Sequence, residues 1–129
     1  MKIGLPADGK ELHNHFATVF GRCSNFVVVE SKDMKVLNSF SNEARNAAGG
    51  AGIQAAQALI DQQVEVIIAP RLGPNAWNVL KGAGITIFVG ISGTLQENVD
   101  AFVAGKLNEM AMASESGFGK GLGRGRGRF

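Results

Sequence analysis

The chain has 129 residues, 45% of them apolar and 19% charged, which excludes a disordered polymer and fits one globular domain with a real core. The formal charge of +2 belongs to the end of the chain. Setting aside Lys120, Arg124, Arg126 and Arg128 leaves nine basic against eleven acidic residues, a body near −2 and a poor match for polyanions. Cys23 is the single cysteine, which excludes an intrachain disulfide and an all-cysteine metal centre.

Residues 2–6 predict a first strand, so the start does not read as a signal peptide. No apolar run reaches membrane-spanning length, and a cytoplasmic location with no membrane partner is expected. Residues 8–22 form a long connection with a helical turn expected around His15 to Phe20. Residues 26–30 and 35–40 predict two strands joined by the polar turn 31–34, short enough for a hairpin. The glycine-rich run Gly49-Gly50-Ala51-Gly52 then opens a first helix. Ile53, Ala56, Leu59 and Ile60 share its apolar face, opposite Gln54, Gln57 and Asp61.

Residues 64–69 are apolar on both faces except for Glu65, the pattern of a strand covered on both sides. Pro74 suits the first turn of a second helix that carries Ala76, Val79 and Leu80, with Gly82 and Gly84 ending it. Residues 85–89 predict a fifth strand. Thr94-Leu95-Gln96-Glu97 is a capping box, and Leu95, Val99, Phe102 and Val103 give the third helix an apolar stripe that ends at Gly105. Met110 and Met112 should cover apolar surface. Residues 1–113 are thus expected to form the α/β domain, with 114–129 a disordered tail rich in Gly and Arg.

The order βββαβαβα predicts a five-stranded mixed sheet, 3-2-1-4-5, with strand 2 antiparallel and right-handed crossovers placing helices on both faces. Loops 8–22, 42–52, 70–75 and 90–94 then converge on one sheet edge, where open α/β sheets bind ligands. Helix starts introduced by Gly49, Gly50, Gly52 and Gly73, with Asn75 in the second, can present backbone N–H groups to an anion. The competing reading is that these glycines only permit tight turns.

His13, His15 and Cys23 are the candidate metal ligands apart from methionines, and all come from the first loop. Softness ranks Cys23 first, and His15 comes next because it lies closer than His13 to the expected helical turn, against a plain reading of two solvated histidines and a partly buried thiol. Arg22 and Arg71 are candidate anion partners. Trp77 reads as packing. Asp8 or a histidine could serve as acid/base in an enzyme acting on a phosphorylated metabolite, and the Arg-Gly tail could support RNA binding. Both are weaker readings than a binding protein, because ligand-capable residues cluster while no convincing acid/base pair does.

Phe20-Gly21-Arg22, Gly49-Gly50-Ala51-Gly52 and Gly73-Pro74-Asn75-Ala76, in that order, resemble the dinitrogenase iron–molybdenum cofactor biosynthesis family over residues 1–107. The resemblance implies a ribonuclease-H-like α/β fold and a carrier or scaffold for an anionic iron–sulfur or iron–molybdenum-type cluster. Such a carrier is not an enzyme. It binds the cluster transiently and has cluster donor and acceptor proteins as partners, with nucleic acid not expected. Carriers of this family use histidine or cysteine near these loops, which here leaves His13, His15 and Cys23, and no motif decides among them.

Overall fold

A computed structural model describes residues 1–46 and 49–113. The elements run β1 (Lys2–Ala7), β2 (Asn25–Glu30), β3 (Lys35–Ser41), α1 (Ala51–Asp61), β4 (Val66–Ala69), α2 (Pro74–Gly82), β5 (Thr86–Val89) and α3 (Leu95–Val103). The sheet order is β3-β2-β1-β4-β5. β2 runs antiparallel to β1 and β3, with Lys2 opposite Glu30 and Ala7 opposite Asn25. β4 is parallel to both β1 and β5. The expected mixed α/β sheet, with its strand order, is the one observed. The tail expected over 114–129 lies outside the described residues.

Strand alternation explains why the middle of the sheet is apolar on both faces. Phe26, Val28, Ile67 and Ile87 face α1 and α2, meeting Ala55, Ala56, Leu59, Ala76 and Leu80. Their neighbours Val27, Val29, Val66 and Ile68 face α3, meeting Leu95 and Val99. The central strands β1, β2 and β4 therefore bury both faces, each face a separate core, whereas β3 at the sheet edge is largely exposed. No described helix is long and apolar enough to cross a membrane.

Several local expectations shift. The segment after β1 is extended rather than helical at its centre: His15 bridges Thr94 and Phe16 bridges Ala7. Its backbone is claimed by neighbours, with the Phe16 N–H donating to Gly93 O at 2.8 Å and the Ala17 N–H to Pro6 O at 3.1 Å. A helical turn would have to forgo those bonds. In α1 the inward stripe is Ala51, Ala55, Ala56 and Leu59, while Ile53 is 40% exposed. Small alanines let the helix sit close, and the stripe is rotated accordingly. Val103, at the end of α3, is likewise exposed.

Past α3 the chain turns back along β5. The Val89 N–H donates to Asn108 O at 2.8 Å and the Met110 N–H to Ile87 O at 2.7 Å, which covers that sheet edge. Met110 is buried as expected, whereas Met112 is 70% exposed.

Candidate functional site

Strands β1, β4 and β5 are parallel, so the loops leaving them gather at one edge. β4 leads into α2 on one face, and β5 leads into α3 on the other. The connections therefore diverge at this point, a topological switch of the kind whose crevice binds ligands in α/β sheets. α1 and α2 start side by side on one wall. A Cβ placed on Gly52 would lie 3.5 Å from the Ala76 Cβ, and one on Gly21 would lie 3.0 Å from the Gly52 N. Glycine at Gly21 is what lets the 21–23 turn reach the first turn of α1.

Neither helix start is capped by a side chain. Gly50 caps α1 in the left-handed region, with φ 73°, and Gly73 caps α2 in an extended conformation. Gly49, Gly50, Gly73, Pro74 and Asn75 are all exposed, and a Cβ on Gly49 or Gly73 would meet nothing within 4 Å. Two adjacent helix starts without side-chain caps attract negative charge through their first N–H groups and the helix dipole, although Ala51 is itself buried and Pro74 has no N–H to give. The start of α3 differs: Thr94 accepts from the Glu97 N–H at 3.1 Å while Glu97 accepts from the Thr94 N–H at 2.8 Å. That capping box is formed as the sequence predicts.

The three candidate ligands are not brought together, and among the described residues no three His, Cys, Asp or Glu side chains are grouped for a metal ion. His15 is exposed, beside Thr94 at the α3 wall, and its carbonyl accepts from the Asp8 N–H at 3.0 Å. His13 is exposed, with Nδ1 3.5 Å from the Glu11 carboxylate. Cys23 is 4% exposed in the α1/α2 core, and its Sγ–H is directed at Phe20 O (3.3 Å) and Asn25 O (3.2 Å). Burial pushes its thiol up to about 11, against smaller opposing contributions from nearby backbone groups and the Asn42 amide. A buried, protonated thiol is a poor ligand whatever its softness. Arg22 is exposed and commits one N–H to Arg45 O at 2.7 Å.

The Cys23 pKa makes a testable claim about stability. It is raised from 9.0 to about 11, so the native state holds the proton more tightly than the unfolded chain. The resulting stabilisation is complete below pH 9.0 and is lost as pH climbs through about 11. Denaturant titrations of the parent and Cys23→Ser across that window should show the parent losing stability more steeply. Parallel curves would mean that the thiol titrates normally.

Sequence reasoning missed the asparagines. Asn25, Asn42 and Asn98 are the buried polar residues of the described chain, and each lies at this edge or braces one of its loops. Asn98 accepts from the Ile91 N–H at 2.8 Å and donates to Ile91 O and Thr94 O, bracing the loop before α3. One signal was present: Asn98 occupies an inward position between Leu95 and Val99, where a polar residue needs partners. Below the edge, Phe26, Phe40, Asn42, Glu43, Gln54 and Ala58 line an open groove of about 340 Å³.

Comparison with known proteins agrees with this fold. The chain is 34% identical over 111 residues to an uncharacterized protein of Methanocaldococcus jannaschii, covering 84% of this chain and 91% of that one. The apo form of the orange protein from Desulfovibrio gigas superposes with a TM-score of 0.83 at 30% identity, covering 88% of this chain and 96% of that one. A Thermotoga protein provisionally described as a NifB protein superposes with a TM-score of 0.77 at 31% identity, covering 90% and 98%. The sequence model of the dinitrogenase iron-molybdenum cofactor family matches residues 1–105. The chain belongs to the dinitrogenase iron-molybdenum cofactor family.

Proposed function

We propose that this protein carries or scaffolds an anionic iron–sulfur or iron–molybdenum-type cluster during cofactor assembly, taking it from a donor protein and passing it to an acceptor. The observation that carries this reading is the pair of adjacent, exposed helix starts without side-chain caps, in a chain of the iron-molybdenum cofactor family. Backbone N–H groups hold charge without a strong covalent bond, which suits cargo that must be released. The edge binds and hands over rather than catalyses. Gly49, Gly50, Gly52, Gly73 and Asn75 form the charge-holding wall, with Arg22 and Arg71 nearby. His15 supplies the metal contact, because it is exposed at the crevice while Cys23 is buried and protonated.

The test is anaerobic addition of isolated iron–molybdenum cofactor, with metal analysis and a visible spectrum after a sizing column. The parent should retain cluster. His15→Ala should lower retention by about tenfold or more, the scale of one lost ligand contact, while folded His13→Ala and Cys23→Ala stay near the parent. A parent that retains no cluster ends the carrier reading. A Cys23→Ala loss larger than that of His15→Ala moves the anchor into the core.

A further inference from the structure

We propose that Asn42 is a positioning residue whose buried side chain holds the start of α1 in place for the ligand; the proposal rests on the loop edge being the binding site. Asn42 is 5% exposed, immediately after β3, and its amide uses both kinds of atom. Nδ2 donates to Gly21 O and to Cys23 O, each at 3.0 Å, and Oδ1 accepts from the Ala44 N–H at 3.1 Å. Its own N–H donates to Ser24 O at 2.9 Å. One planar group therefore joins the 21–23 turn to the loop that leads into α1.

The consequence passes through contact. The Gly21 backbone packs against Ala51 and Gly52, the first residues of α1, and Gly52 packs against Ala76 in α2. A second tie, from Arg22 Nη1 to Arg45 O, joins the same two segments. Moving the Gly21 carbonyl therefore moves the wall on which the two helix starts are aligned. Only a side chain with two donor hydrogens and one acceptor satisfies all three partners. An aspartate carboxylate would face two carbonyls with no hydrogen to give. Protonated, it regains one donor.

The experiment compares Asn42→Ala and Asn42→Asp with Val29→Ala, a core variant far from the loop edge, in two measurements. The first is amide exchange at Gln54, whose N–H makes the first bond of α1 to Gly50 O at 3.0 Å. After correction for global stability, Asn42→Ala should speed that exchange by about tenfold or more, and Val29→Ala should not. The second is retention of isolated iron–molybdenum cofactor, which Asn42→Ala should lower by a similar factor relative to Val29→Ala. In Asn42→Asp, Gln54 protection should recover relative to the parent as pH falls from about 8 to about 5 and the carboxyl takes up its proton. This arm also serves if Asn42→Ala does not fold.

Gln54 exchange that tracks global stability alike in the Asn42 and Val29 variants would overturn the proposal. So would undiminished retention in a folded Asn42→Ala. Failure of the parent to retain cluster ends the carrier reading instead, and the exchange comparison still decides the role of Asn42.

Discussion

Gly73→Asp should make the protein slightly more stable and yet unable to hold an anionic cluster. Gly73 caps α2 at φ −69° and ψ 170°, a conformation open to any residue and favoured before Pro74. A Cβ there meets nothing within 4 Å, so the new side chain displaces no neighbour. From the N-cap position an aspartate accepts from the first N–H groups of the helix and complements its dipole, contributing about 0.5–1 kcal/mol. It also places a negative charge where the cluster is expected to sit. At about 5 Å and an effective dielectric near 20, repulsion of about 3 kcal/mol lowers affinity on the order of 100-fold. Thermal unfolding and cluster retention should thus move in opposite directions, which misfolding cannot imitate. Retention equal to the parent would remove α2 from the site. Gly50→Val is a poorer probe: at φ 73° it adds strain of about 1–2 kcal/mol, mixing loss of fold with loss of ligand.

Phe26→Ala should be the most damaging single change to the fold. Phe26 is fully buried at the start of β2, and its ring lies 5.3 Å from that of Phe20 and 5.9 Å from that of Phe40. Removing it takes apolar surface from the α1/α2 core and leaves a cavity beside the groove, at a cost of about 3–5 kcal/mol. The unfolding midpoint should fall by more than about 10 °C. The same rings support the 20–23 turn that meets α1, so cluster retention should weaken in the fraction that remains folded. A shift of only a few degrees would mean that the core closes over the gap and that the turn has other support.

The succession of strands and helices, the capping box at Thr94 and the glycines before α1 and α2 were legible in the sequence, because each is written in a short run. The strand order followed from connection rules applied to that succession. Alternation, the helical repeat and cap chemistry depend on residues a few positions apart. Family resemblance added the expected cargo. Ile53 shows the limit. Its spacing fits an apolar face, but a face is wide, and the partner surface selects which part is buried; here the alanines of α1 met it and Ile53 was left outside.

The chain alone determined a mixed α/β sheet with its loops at one edge and an uncapped glycine start on each of two helices. Tertiary structure alone decided what those loops contain. Cys23, the softest ligand by chemistry, is enclosed by Phe20, Phe26 and the segment through Asn42, and desolvation keeps its proton in place. His15, one of two loop histidines the sequence could not separate by chemistry, lies beside the α3 start because Thr94 pairs with it from 79 residues away. Asn42 became a brace because Gly21 and Cys23 bring it their carbonyls. Burial and hydrogen-bond partnership are properties of pairs distant in the chain, and no window of sequence carries them.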